Sequence, residues 1–285
     1  MNQQKIAIVV DSGCDVPEEW RKRYGMYLLP LRILYEQGEY LDGVEISSEE
    51  VYQRLPQEIP KTSLPSGGQV TDCLDQIKAD GYEKVLAVTL SSGLSGTYNL
   101  VQLIAQEYEG LDIHVVDTKN IAIGSGFTAI LAGQCLEQGM EWEALKATID
   151  GSLEKSKVFF CLATLEYLQK GGRIGLVASL VGNALGLKPI ISCNEDGVYY
   201  VVSKAMGRKQ SIHRVMEMAW RFAAEGKRYN VAIVNASAKE EAAAIKEELL
   251  PHLPGRVQLI ESDLGPALGV HVGPGLLGVG IQLLD

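Results

Sequence analysis

The stretch KVLAVTLSSGLSGTY, residues 84–98, decides the fold. Residues 84–90 form an apolar, β-branched run of strand length, and over residues 95–108 apolar side chains recur three or four apart with polar ones between them. A strand that hands over to a helix through a short Ser and Gly turn is the unit from which α/β sheets are built. The turn places Ser95 at the helix start, beside main-chain amides without a partner in the helix and at the positive end of its dipole. No other segment of the chain offers an anion so good a seat.

The same alternation runs outward in both directions. Strands are expected at 5–10, 113–116, 158–162, 198–202, 231–234, 257–260 and 278–283, and helices at 126–138, 142–155, 211–225 and 238–249. Residues 35–68 read as an irregular excursion with one short helix at 48–55, and a hydrophobic helix is expected at 176–187. Near residue 155 the character changes, because KGGRIG, GLKPII and GRKQS bring glycines and cations together. The reading is an α/β fold of two domains, a Rossmann-like first domain at 1–157 and a mixed α/β second domain at 158–285.

Composition bounds the function. The 285 residues carry 26 Lys and Arg against 36 Asp and Glu, a net charge of −10, so nucleic acid and anionic membrane surfaces are poor partners. With 46% hydrophobic and 22% charged residues the chain reads as an ordinary globular protein. It has no run of 18 apolar residues and enters the strand-like KIAIVVDS at Lys5, so neither a membrane span nor a secretory signal is expected, and the expected location is the cytoplasm. The five cysteines are odd in number and lack CxxC or CxH spacing, which favours core residues over disulfides or a metal site. No GxxxxGK[ST] phosphate loop is present, so nucleoside triphosphate chemistry would have to come from another protein. The fingerprints around Gly124 and Gly273 lie too late, after their strand or in the chain, to serve a dinucleotide.

Small polar residues gather in further loops. VVDSGCD offers Asp11, Ser12 and Asp15 after a buried strand, where Asp15 or Ser12 reads as a helix cap. KTSLPSGGQV sets Thr62, Ser63 and Ser66 around Pro65, dense for a mere connection. Two glycines hold Arg173 in a defined turn, whereas His271, between valines, reads as part of a strand or turn. Gly93 to Thr97 also imitates the G-x-S-x-G elbow of a hydrolase, with Asp117 and His271 following in the matching order. Thr97 replaces the last glycine, so a serine esterase with Ser95 as nucleophile and His271 as base stands as the alternative.

Taken together, DSGCD from Asp11, KTSLPS around Thr62, SSGLSGTY around Ser95, DTKNIAIGSGF from Asp117, LEYLQKGGRI through Arg173, LKP at Lys188 and HVGPGLLG from His271 resemble the DegV family of bacterial fatty acid-binding proteins. The segments occur in the family's order over nearly the whole chain. The resemblance implies a carrier without turnover of its own and without a cofactor, holding one long-chain fatty acid such as hexadecanoate in an apolar tunnel. Residues 121–136 and 176–191 are the apolar stretches expected to line it. Thr62, Ser95, the Gly96 amide and His271 would hold the carboxylate. Arg173 and Arg208 would stand at the mouth, for an acyl phosphate or for docking. The implied partner is a separate fatty acid kinase acting in trans to form the acyl phosphate, with transient contact to a membrane.

Overall fold

All six residues of β1, Ile6–Asp11, are buried, as a strand must be when neighbours and helices cover both its faces. A computed structural model describes residues 2–180 and 186–285. In it β1 lies inside a four-stranded, all-parallel sheet of order β2-β1-β6-β7, with β2 at Tyr27–Leu29, β6 at Lys84–Thr89 and β7 at Asp112–Asp117. Successive side chains of a strand take opposite faces. Ala7, Val9, Val85 and Ala87 meet α3 (Gly67–Ala79) and α4 (Thr97–Glu107), while Ile8, Val10, Leu86 and Val88 meet α5 (Ile123–Glu137).

Helix α5 is buried along nearly its whole length, the mark of a helix packed on several sides. Its other side packs on β8 (Ser156–Cys161) and β13 (Leu277–Leu283) of a second sheet. That sheet has the order β10-β9-β8-β13-β11-β12, with β9 at Leu187–Cys193, β10 at Tyr199–Met206, β11 at Tyr229–Asn235 and β12 at Arg256–Asp263. Only β11 and β12 run parallel in it. Helices α8 (Gly207–Ala223) and α9 (Lys239–Leu249) cover its outer face, and α6 (Trp142–Asp150) flanks α5. The layers therefore run helices, parallel sheet, α5, mixed sheet, helices. One core cluster reaches from Ile6 to Leu276 and draws on both sheets.

Several expectations need correction. Residues 35–68 are not irregular: β3 (Arg32–Tyr35), β4 (Gly38–Leu41) and β5 (Lys61–Ser63) form an antiparallel sheet of order β4-β3-β5. Strands of three or four residues are too short to display alternation. The short helix in that stretch is α2 (Ser48–Arg54), closed by a capping box of Ser47 and Glu50; α1 (Glu18–Arg23) precedes it. The expected helix at 176–187 is a 3-10 turn at Gly175–Leu180, residues 181–185 lie outside the described residues, and Leu187 already opens β9. Arg173 follows α7 (Glu166–Lys170). His271 sits in neither strand nor turn but in α10 (Pro266–Val272), whose Pro at its start and Gly273 at φ 66 beyond its end are start and stop signals. Ser12 and Asp15 cap no helix of their own, since their side chains bond Leu31 and Gly265 instead. All five cysteines are free and four are buried. Among the described residues no helix is long and apolar enough to cross a membrane.

Candidate functional site

Segments far apart in sequence line one pocket: β5, the β6–α4 turn, the turn after α7, and α10. Thr62 stands on β5 opposite Ile33 of β3. Its Oγ1 lies 2.6 Å from Nε2 of His271, in the last turn of α10. The other ring nitrogen, Nδ1, is buried without a partner. Burial, reinforced by the positive charge of Arg173, lowers the imidazole to about 4, so His271 is neutral at pH 7 and offers hydrogen bonds rather than charge. A Cβ on Gly171 would come within 2.2 Å of Nδ1, which explains a glycine there.

The β6–α4 turn supplies the second set of polar groups. Leu94 and Ser95 both donate their amides to the Ser91 carbonyl at 3.0 Å, winding the chain tightly enough for Gly96 to cap α4. Ser95 Oγ lies 2.8 Å from Thr97 Oγ1 and accepts from the Thr97 amide at 3.3 Å. From behind, the tip of the β9–β10 hairpin props the turn: Ser91 Oγ donates to the Gly197 carbonyl at 2.8 Å and accepts from the Gly93 amide at 3.0 Å.

Arg173 closes the pocket on its outer side. Its guanidinium donates to the carbonyls of Gly171 at 2.9 Å and Leu94 at 3.4 Å, and among the described residues no acid pairs with it. It also lines a more open hollow with Ser92, Gly96 and Gly172. The result is a cation beside the N-terminus of an eleven-residue helix, two hydroxyls and a neutral imidazole, a donor set suited to an anion.

A second, apolar cavity adjoins this pocket, and Ile121, Tyr199 and Leu268 line both. Beyond that waist its wall is Val158, Phe160, Val272 and Leu276 with the glycines of β13. The ring of Tyr199 stands nearly edge-on to Phe160, centroids 5.4 Å apart. The arrangement joins a donor set suited to an anion to an apolar interior.

The structure brings Thr62, Ser95, Gly96, Arg173 and His271 into one pocket. Arg208 does not join them: in the first turn of α8 it donates to both oxygens of Glu241, at 3.0 and 2.7 Å, and it lines neither cavity. The hydrolase arrangement is not formed, because His271 bonds Thr62 and Ser95 bonds Thr97, while Asp117 accepts from Ser92 and Lys119. The apolar cavity takes Ile121 and Ala122 from the first expected stretch and no described residue from 176–191. Sequence reasoning missed Tyr199, Leu268 and Gly197. The Asn194 to Gly197 turn is a legible hairpin signal, but nothing in the sequence marks Tyr199. Among the described residues no group of three or more His, Cys, Asp or Glu is placed to hold a metal ion.

A profile described as "Uncharacterised protein, DegV family" matches residues 5–283. A DegV domain-containing protein of Clostridium acetobutylicum is 40% identical over 276 residues, covering 97% of this chain and 98% of the relative. Among solved structures, a DegV family protein from Thermus thermophilus, described for its fatty acid binding, superposes with a TM-score of 0.92 at 29% identity, covering 100% of both chains. A stearic acid-binding protein from Eubacterium ventriosum gives a TM-score of 0.89 at 28% identity, covering 98% of each chain.

Proposed function

This chain belongs to the DegV family, and from that premise we propose that it binds one long-chain fatty acid, its carboxylate among Thr62, Ser95, Gly96, Arg173 and His271 and its acyl chain in the apolar cavity. The observation that carries the reading is the junction of a donor-rich pocket with an apolar cavity through Ile121, Tyr199 and Leu268. For hexadecanoate, roughly 15 methylenes at about 0.8 kcal/mol each contribute roughly 12 kcal/mol of gross transfer free energy. The hydrocarbon thus supplies affinity with no specific contact. The head group sets orientation, because a carboxylate taken from water is costly unless hydrogen-bonded.

In this reading the protein has no turnover of its own and works in the cytoplasm as a carrier. It presents the carboxylate to a separate kinase for acyl-phosphate formation and exchanges lipid during transient membrane contact. Arg173 receives the phosphoryl group or the kinase. Docking through Arg208 requires it to exchange Glu241 for the partner. The division at 157/158 separates a unit bearing Thr62, Ser95 and Gly96 from one bearing Arg173 and His271, so the ligand sits where the two meet.

Denaturing the purified protein and weighing the released lipid by mass spectrometry is the direct test. One equivalent of fatty acid, or uptake of one on incubation, is expected; a protein that neither carries nor takes up a fatty acid would overturn the proposal. Thr62→Ala and Ser95→Ala are expected to lower fatty acid affinity by about tenfold at most, the scale of one hydrogen bond, while kinase-coupled phosphorylation falls further. Phosphorylation at the wild-type rate in both variants would contradict the assigned orientation.

A further inference from the structure

On the far side of the head-group pocket lies a second polar cavity that shares no lining residue with it. Asp11, Asp15 and Asp42 all line it, and Arg21 is the one cation in its wall. Asp11 and Asp42 are each 1% exposed. One oxygen of each, Asp11 Oδ1 and Asp42 Oδ2, is buried without a partner.

The partners that these side chains do have are main-chain amides of the pocket's walls. Asp11 Oδ2 accepts from the Leu90 amide at 2.8 Å, at the root of the turn that carries Ser95. Ser12 Oγ accepts from the Leu31 amide at 2.9 Å, immediately before β3, the strand that pairs Ile33 with Thr62. Asp42 Oδ1 accepts from the Ala267 amide at 2.8 Å, in the first turn of α10, the helix that carries His271. Leu31, Leu90 and Ala267 themselves line the head-group pocket.

Two of the three anchored amides, Leu90 and Ala267, therefore lie on the turn that holds Ser95 and the helix that holds His271, and the third, Leu31, immediately precedes β3, the strand that pairs with the one holding Thr62. We propose that Asp11, Ser12 and Asp42 are positioning residues: by fixing Leu90, Leu31 and Ala267 from behind, they set the mutual spacing of Ser95, Thr62 and His271 and so the pocket's preference for a carboxylate over a neutral head group. The proposal rests on the reading of that pocket as a carboxylate site. A site of several donors works only when they are held within about half an ångström of the productive arrangement, and a buried anchor behind each donor is what achieves that.

Displacement of a fluorescent fatty acid by hexadecanoate and by hexadecanol, measured side by side, tests it. In the wild type the acid is expected to bind more tightly than the alcohol; equal affinity, or none, would refute the carboxylate reading itself and be visible without any variant. Asp42→Ala is expected to weaken hexadecanoate by about tenfold to a hundredfold, the scale of a charge-assisted hydrogen bond, and hexadecanol by less than about threefold. Asp42→Asn keeps an acceptor for the Ala267 amide and is expected to restore the preference for acid. If Asp42→Ala does not fold, Ser12→Ala, which frees Leu31 by removing a single hydroxyl, is read by the same ratio. In a variant that still melts cooperatively, acid and alcohol affinities falling together, or neither falling, would overturn the positioning role. So would failure of Asp42→Asn to rescue.

Discussion

Asp11→Asn is expected to stabilise the protein at pH 8 and to leave it nearly unchanged at pH 4. Burial pushes the Asp11 carboxyl from 3.8 up to about 7, in a cavity that it shares with Asp42, Asp15 and Arg21 and beside the buried thiol of Cys14. Between those two values the folded protein keeps a proton that the unfolded chain releases, so this contribution to stability is fully present below about pH 4 and is lost as pH rises through 7. A shift of about three units corresponds to about 4 kcal/mol. Asn retains an acceptor for the Leu90 amide and has no proton to lose. At about 2–4 °C per kcal/mol, thermal melts should separate variant and wild type by roughly 10 °C at pH 8. Equal gains at both pH values, or a loss at pH 8, would argue against a protonated, buried Asp11. His271 works in the opposite direction, because a group lowered to about 4 contributes stability above pH 6.5 that is lost as pH falls. Asp15 and Asp42, also pushed up by burial, add to the loss as pH rises, so the wild type should lose more stability than the variant between pH 4 and 7.

Gly197→Ala is expected to cost about 3 kcal/mol or more and to weaken the fatty acid binding proposed above. Gly197 has φ 75, and a Cβ there would stand 1.8 Å from Ser91 Oγ and 3.1 Å from the Lys119 backbone. Strain and overlap add, lowering the melting temperature by roughly 6–12 °C. The displaced Ser91 hydroxyl is the one that bonds Gly197 and Gly93, so the turn carrying Ser95 shifts with it. Gly172→Ala separates the two causes: φ is 71 but nothing lies within 4 Å, and only the left-handed penalty of about 1–2 kcal/mol remains. Equal melting temperatures for the two variants would remove the clash from the explanation.

The alternation of long apolar runs with helical periods was legible because β1 and β6 are buried on both faces and α4 on one. Thr62, Ser95, Gly96, Arg173 and His271 were each marked by loop chemistry or by the family resemblance, and the structure places them in one pocket. Its apolar continuation was not legible, since Tyr199 and Leu268 differ in no local way from ordinary core residues. The anchors at Asp11, Ser12 and Asp42 were misread as cap chemistry or passed over. A carboxylate that bonds an amide 79 or 225 residues away leaves no trace in local spacing.

Thr62 and His271 are 209 residues apart, and Asp15 reaches Gly265 across 250. During synthesis at about 5–20 residues per second, Thr62 leaves the ribosome roughly 10–40 s before its imidazole partner exists. A nascent chain, however well its parallel sheet has formed, thus lacks one side of the head-group pocket until α10 emerges. If that pocket is the carboxylate site proposed above, loading waits for α10, and a product truncated before it is expected not to compete for the fatty acid.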